Sequence, residues 1–332
     1  MMGDREAAEY VIPLRWRADG ELAEMTSYLR QLATWIDVTV VDGSDEERFS
    51  AHADAWRGIV RHLPVTGSGA GNGKVHGVLA GVAAARHERV ILADDDVRYD
   101  RPALTAVIRA LGAADLVKPQ NYFTPAPWHA RWDTGRSLLN RALGEDYPGT
   151  YGLRRSTFTA MGGYDPEVLF ENLELERTVR AHGGRVAHRP GIYVARRPPS
   201  ARHFRSQRVR QAYDSWAQPA RLLAEAAILP VVLWCLRKRA RAIALLGALL
   251  LVAERGRRRS NGRRVFPRSA PWWAPLWMIE RGVTIWIALA LRLRGGVRYG
   301  DARLSRAAHS QAQLRRRVET GDRSRYAGSA RP

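Results

Sequence analysis

Apolar positions along the chain fall into two regimes. In the first, short apolar or β-branched runs alternate with stretches of helical spacing. Residues 10–13 (YVIP), 38–41 (VTVV), 60–65, 90–92 (VIL), 116–119 and 185–194 read as strands. Between them, residues 21–35 carry Leu22, Met25, Leu29, Leu32 and Ala33 at helical spacing. Residues 45–55, 75–85 and 102–111 also read as helices, the last with a proline in its first turn. A further helix opens near Glu171 and runs to His182. Leu175, Val179 and His182 share one face, and Glu174 and Glu176 read as first-turn charges. Residues 121–132 (NYFTPAPWHARW), rich in aromatics and proline, read as a loop or lid.

The second regime starts after Trp216. Residues 222–236, 240–253 and 272–291 are apolar stretches separated by arginine clusters. Glu280 and Arg281 interrupt the third, and Trp272, Trp273, Trp277 and Trp286 suit a membrane interface. None of the three reaches the ~20 uninterrupted apolar residues of a simple spanning helix. They read as membrane-embedded or interfacial helices held partly by anionic lipid. A soluble helical subdomain is the alternative. The tail from Asp301 is basic and polar and reads as a loose, disordered surface segment.

Candidate chemistry centres on Asp94, Asp95 and Asp96, which directly follow the 90–92 run. Carboxylates packed together at a strand end repel one another unless a cation neutralises them. The carboxyl ends of parallel strands are where open α/β sheets bind ligands. Strand alternation would put Asp94 and Asp96 on one face and Asp95 between them, the least important of the three. A solvated acidic turn is the plain alternative. Residues 67–73 (GSGAGNG) lead into Lys74 and a helix, a setting for an anion. Val75 stands where a P-loop needs its magnesium-binding hydroxyl, so that motif is absent. Asp42 ends the 38–41 run, and Glu171 is the best-placed general base.

Composition narrows the partners. The 332 residues are 45% hydrophobic and carry a formal net charge of +20, which implies an anionic partner. No nucleic-acid module is recognised. The one cysteine, Cys235, excludes an internal disulfide and a cysteine-based zinc site. The N-terminal stretch lacks the apolar core of a secretory signal.

Taken in order, VIP, VVDGSD, GNGKVHGVLAGVAAARHERVILADDDV, GGYD, FENLEL and QRVRQ resemble the family 2 glycosyltransferases of GT-A fold, over residues 10–216. The apolar segments resemble those of membrane-bound members such as glucosylceramide synthases, hopanoid-pathway enzymes and processive synthases. The resemblance implies an α/β, Rossmann-like mixed and mostly parallel sheet flanked by helices, with membrane-associated helices after it. It implies a catalytic domain over 1–216, a membrane-associated helical region over 217–300 and a basic tail over 301–332. It implies an inverting, Mg2+- or Mn2+-dependent transfer from a UDP- or GDP-sugar to a lipid or glycan acceptor, at the cell membrane with the catalytic domain facing the cytoplasm. Donor binding would fall to Pro13, Asp42, Lys74, Asp94, Gln207 and Arg210, metal binding to Asp96 and Asp94, and base catalysis to Glu171 or, alternatively, Glu174. Two positions depart from the family pattern. Asn172 stands where the family usually has its catalytic aspartate, and Gln211 replaces a tryptophan. A catalytically degenerate GT-A protein, a nucleotidylyltransferase and a basic membrane-surface binding protein are the competing readings.

Overall fold

The computed structural model describes residues 5–65, 72–294, 297–299, 302–304 and 306–321. In chain order the elements are β1 (Glu9–Leu14), α1 (Leu22–Ala33), β2 (Asp37–Asp42), α2 (Glu46–Trp56), β3 (Arg61–Pro64), α3 (Gly73–Ala84), β4 (Arg89–Ala93), β5 (Val97–Arg98), α4 (Arg101–Ala110) and β6 (Leu116–Phe123). There follow α5 (Trp128–Leu143), β7 (Thr150–Arg154), α6 (Arg155–Ala160), α7 (Glu171–Ala181), β8 (Val186–Arg196), α8 (Ala201–Tyr213), α9 (Pro219–Leu236), α10 (Arg239–Arg258), α11 (Ala274–Leu293), the short hairpin β9 (Val297–Tyr299) and β10 (Ala302–Leu304), and α12 (Gln311–Glu319).

One eight-stranded sheet runs in the order β3-β2-β1-β4-β7-β6-β8-β5. Strands β3, β2, β1 and β4 are mutually parallel, and β7 enters antiparallel to β4 and β6. The architecture is therefore α/β with a mixed, mostly parallel sheet flanked by helices, as the resemblance implies. The parallel register brings Leu14, Asp42 and Pro64 to one edge, so the loops after β1, β2, β3 and β4 open on the same side.

The chain divides into two compact units. The first holds residues 1–119, 148–189 and 309–332, and the second holds 120–147 and 190–308. In the first unit, Val11, Val75, Val78, Val82, Val90, Leu92, Leu153, Leu175 and Val179 form one buried cluster. Helix α3 lies close on the sheet because two of its positions are glycine. A Cβ at Gly77 would stand 2.8 Å from Pro13 Cβ, and one at Gly81 would stand 2.3 Å from Val11 Cγ1. Asp45 and Asp100 cap α2 and α4 by accepting from Arg48 N and Ala103 N. The same core contains a charged pair. Lys118 Nζ donates to both oxygens of Glu176 at 2.9 and 3.0 Å, and Tyr151 Oη donates to the same carboxylate at 3.0 Å.

In the second unit, α5, α9, α10 and α11 pack together. Leu138, Leu139, Ala253, Phe266, Ala274 and Trp277 form its centre. Arg141, fully buried, donates to Gln120 Oε1, Tyr193 Oη and the carbonyls of Gly256 and Arg259. Gly256 permits this packing, since a Cβ there would fall 1.9 Å from the Leu138 carbonyl oxygen.

Three expectations change. Residues 121–132 are not a lid: β6 runs through Phe123, and a sixteen-residue helix, α5, begins at Trp128. Proline at 125 and 127 masks that helix start in the sequence. Glu174 and Glu176 are not solvated first-turn charges, because both are buried. The tail is not loose throughout. Residues 311–319 form α12, started by a capping box between Ser310 and Gln313 and anchored by buried Leu314. Residues 322–332 and the glycine-rich 66–71 lie outside the described residues.

The buried Lys118–Glu176 pair predicts an asymmetry in unfolding free energy. Lys118→Met alone strands a carboxylate in the core and should cost about 3–5 kcal/mol. Adding Glu176→Leu should recover much of that loss. Urea denaturation of the single and double variants measures both.

Candidate active site

The site builds from the end of β4. Val90, Ile91 and Leu92 bury the strand, and the chain leaves the sheet at Ala93, so Asp94, Asp95 and Asp96 occupy a turn rather than strand positions. The turn is held by its own backbone and by neighbours. Asp94 O accepts from Val97 N at 3.1 Å, and Asp94 N donates to Gly149 O at 2.8 Å. The Asp95 carbonyl accepts from Arg98 Nη1 at 2.5 Å, and the Asp95 carboxylate accepts from Trp16 Nε1 at 2.6 Å. Asp95 thus ties the turn to the loop after β1, where Trp16 N is in turn bonded to Ser44 Oγ. The residue expected to matter least is thus one of those that hold the turn.

Lys74 joins this turn to the rest of the site. It stands at the start of α3, where Asn72 caps the helix through Lys74 N and donates its own N–H to Pro166 O. Lys74 Nζ lies 2.6 Å from Asp94 Oδ1 and 2.8 Å from Glu171 Oε1. Three residues chosen separately in the sequence therefore meet at one ammonium group. Their side chains are 23%, 18% and 15% exposed, enclosed but reachable. Burial alone would push the Lys74 ammonium down; Asp94 and Glu171 outweigh it and hold it well above its ordinary value. Asp96 lies half-buried in the same turn. Carboxylate oxygens on a turn are hard ligands suited to Mg2+ or Mn2+, so Asp94 and Asp96 fit such an ion by donor chemistry.

Helix α7 supplies both candidate bases and separates their roles. Glu171 is its first residue and faces Lys74. Glu174, one turn on, is fully buried. Its oxygens accept from His309 N at 2.8 Å and lie 2.7 Å from His309 Nδ1, on the segment leading into α12. A sealed carboxylate engaged on both oxygens cannot collect a substrate proton. Asn172 turns its amide toward Pro148 O at 3.4 Å, a contact with the loop before β7.

Asp42 departs from expectation. It ends β2 as foreseen, but its side chain is enclosed and offers no open carboxylate to a nucleoside. Oδ1 accepts from Ser44 N at 2.8 Å; Oδ2 lies 2.6 Å from His52 Nδ1 and 3.1 Å from His62 Nε2. Burial would raise this carboxyl, and the bonds from His62, Ser44 and His52 reverse that and hold it far below the usual range. Pro13 lies in β1 beneath Gly77. Gln207 and Arg210 lie on α8, in the second unit, where Gln207 bonds His203. Their neighbour Arg208 is structural there: it donates to Asp133 Oδ1 at 3.0 Å and stacks over Phe204. Trp16, Asn72, His52, His62 and His309 escaped the sequence reading, because no spacing rule links them to the residues they hold.

The fold and site define an α/β protein with an acidic turn, a bridging lysine and a glutamate at the carboxyl edge of parallel strands. No family model and no curated protein matches the chain. Among solved structures, it is similar to a mannosyltransferase from Pyrobaculum calidifontis in complex with GDP-Man and Mn2+, at 14% identity and TM-score 0.48, over 97% of this chain and 81% of that one. It is also similar to glucosyl-3-phosphoglycerate synthase from Mycobacterium tuberculosis in complex with phosphoglyceric acid, at 15% identity and TM-score 0.42, over 59% and 74%. A third likeness is to GalNAc-T7 with UDP, GalNAc and Mn2+, at 13% identity and TM-score 0.42, over 57% and 44%.

Replacing Lys74 tests the bridge. Lys74→Met should lower stability near neutral pH by about 1.5–3 kcal/mol, because two charge-assisted bonds are lost. Since the folded value of Lys74 is raised, its contribution is complete below the ordinary lysine range near ~10.4 and is lost as pH rises through the folded value. The buried tyrosines Tyr10, Tyr28 and Tyr99, held above the ordinary phenol value, give both proteins an alkaline fall in denaturation midpoint, and the wild type should show a steeper one than Lys74→Met.

Proposed function

We propose that the chain is a metal-dependent, inverting glycosyltransferase of the GT-A type, moving a sugar from a UDP- or GDP-sugar to a lipid or glycan acceptor at a membrane. The observation that carries this reading is the meeting of Lys74, Asp94 and Glu171 at the edge where parallel α/β sheets take ligands. A nucleotide-sugar reaction needs those three parts: a cation and a metal-binding carboxylate for the diphosphate, and a base for the acceptor.

Glycosyl transfer develops negative charge on the departing diphosphate. Lys74 is placed to bind that charge, and Asp94 and Asp96 would hold the Mg2+ or Mn2+ that neutralises the rest when bound. Glu171 takes the proton from the attacking acceptor hydroxyl. Attack on the face opposite the leaving group inverts the anomeric carbon. Lys74 is shared between Asp94 and Glu171. Phosphate oxygens compete for the same ammonium, so donor binding loosens its hold on Glu171 and leaves that carboxylate ready to act as base. Gln207 and Arg210 are assigned to the donor on the sequence resemblance alone.

The membrane part of the proposal rests on the second unit. Helices α9 and the 270–293 segment that ends in α11 are long and apolar enough to cross a membrane by length and composition. Leu223, Leu233, Trp234, Ile279, Trp286 and Leu293 are exposed on them. The charges that argue against insertion turn inward. Arg281 is buried with Nη1 3.5 Å from Glu225, and Glu280 lies 3.7 Å from Arg208 Nη1. An apolar exterior over a paired ionic interior suits a membrane-embedded or interfacial bundle, with arginines at its ends for anionic headgroups. The catalytic unit then faces the cytoplasm, where nucleotide sugars are made.

Turnover should appear as Mn2+- or Mg2+-dependent release of UDP or GDP in a screen of nucleotide sugars; release of pyrophosphate instead would mark a nucleotidylyltransferase. Glu171→Gln should cut kcat by about 10²–10⁴-fold with little change in donor affinity. Asp96→Ala should abolish the metal dependence of donor binding in calorimetry. Equal activity of wild type and Glu171→Gln would end the assignment of the base.

Membrane association has its own check. The protein should float with vesicles containing anionic lipid and resist extraction by salt and alkali. Release by salt alone would reduce the attachment to electrostatics.

A further inference from the structure

A second cluster of chemistry-bearing side chains lies at the outer strands of the sheet, where β2 meets β3. Asp42 ends β2, His62 lies on β3, and His52 reaches them from α2. Asp42 Oδ2 lies 2.6 Å from His52 Nδ1 and 3.1 Å from His62 Nε2, and one ligand atom from each of the three residues lies within 4.8 Å of the others. The side chains of Asp42 and His52 are fully enclosed, and that of His62 is 8% exposed. Aromatic rings fix both imidazoles. Trp56 stacks on His52 at 4.8 Å with Trp16 edge-on to it, and Phe49 stacks on His62 at 4.3 Å.

His52 meets a carboxylate oxygen on each side, Asp42 at Nδ1 and Asp19 at Nε2. The 2.6 Å contact from His52 Nδ1 to Asp42 Oδ2 requires a proton on Nδ1. In the neutral ring that leaves a lone pair on Nε2. Nε2 lies 3.4 Å from Asp19 Oδ1, an acceptor. Both atoms are buried and have no hydrogen-bond partner. Arg48 Nε stands 3.6 Å from the same oxygen of Asp19, whose side chain is 33% exposed, and neither relieves the lone pair on Nε2. A cation on the Nδ1 side resolves the conflict. The ring proton then sits on Nε2 and donates to Asp19, the carboxylate–histidine–metal relay that commonly orients a ligating imidazole.

We propose that Asp42, His52 and His62 form a transition-metal site, with Asp19 supporting His52 from behind, and that it takes Zn2+ or a similar borderline divalent ion. Two imidazoles and a carboxylate are the donor set such ions prefer, in contrast to the all-oxygen pair Asp94 and Asp96. Metal–ligand bonds of about 2.0–2.1 Å need the three donors to spread slightly from their present contacts.

A second histidine–carboxylate cluster among the described residues, Asp165, Glu174 and His309, lacks this logic. Arg317 already stands 3.7 Å from Asp165, and His309 contributes both its backbone N–H and its ring to Glu174. It reads as the anchor of α12 on α7.

The test uses the full chain, stripped with chelator, and needs no substrate, so it succeeds or fails independently of the sugar-transfer reading. Co2+ titration should give one equivalent of visible d–d absorption of a low-coordinate site, displaced by Zn2+. Asp96→Ala should retain this band. His62→Gln, at the partly open position, should weaken Co2+ binding at least about tenfold. Should that variant fail to fold, histidine ¹⁵N spectra of the wild type decide. Zn2+ should convert His52 to the tautomer protonated at Nε2. Either of two results overturns the site: no stoichiometric band, or a His52 protonated on both nitrogens and unmoved by Zn2+, which would mean that an imidazolium bridges Asp42 and Asp19.

Discussion

The Lys74 ammonium is the constraint on which the candidate site depends. Asp94 comes from the turn after β4 and Glu171 from the start of α7, and each brings a negative charge to a partly enclosed place. Without a cation between them the two carboxylates would repel, and the turn and the helix start would separate. Lys74 can stand there because α3 lies unusually close to the sheet at Gly77 and Gly81. Its first turn is also held on two sides, by the Asn72 cap and by the bond from Asn72 N to Pro166 O. Backbone packing, helix capping and electrostatics thus place one charge, and that charge places the other two.

The supports of the site are less obvious than its members. Asp95 anchors the acidic turn to Trp16, and Arg98 bonds the Asp95 carbonyl while pairing with Glu24 on α1. Helix α7 is gripped from the far side. Glu174 accepts from His309, and Arg177 donates to the His309 carbonyl at 2.6 Å. The last described helix of the chain therefore steadies the helix that begins with Glu171. A preorganised site needs such restraint, because a carboxylate displaced by an ångström loses both its partner and its line to a substrate.

Much of the sheet was legible because its strands are short β-branched or apolar runs ended by polar turns. β2 and β4 read directly, the first ending at Asp42 and the second one residue before Asp94. Lys74, Asp94 and Glu171 were legible as separate candidates, since each sits at a junction between a strand or glycine turn and a helix. Their joining was not legible, because it depends on how α3 and α7 approach the end of β4. Helix α5 was hidden by prolines that mark its start rather than forbid it. Glu174 and Glu176 looked like ordinary first-turn acids. Only the partners His309, Lys118 and Tyr151, all distant in sequence, explain their burial. Asp42 failed in the same way: its position at the strand end was readable, and the two imidazoles that enclose it were not.

These cases share a physical cause. Local sequence reports where a charge enters the fold, whereas the meaning of the charge is set by which opposite group arrives from elsewhere. Lys74 between two carboxylates leaves them partly open to solvent, a state suited to exchange with an incoming anion. Lys118 between Glu176 and the core is closed, a state suited only to holding the fold. Both are lysine–glutamate contacts of nearly equal length, 2.8 and 2.9 Å. Their surroundings differ: 23% and 15% side-chain exposure in the first pair, against 0% and 1% in the second. Exchange with a ligand requires that the replaced partner find water or another charge at once, and only the first pair meets that condition. The two ion pairs therefore differ in accessibility rather than in length, and Lys74–Glu171 is the one that an incoming anion can reach.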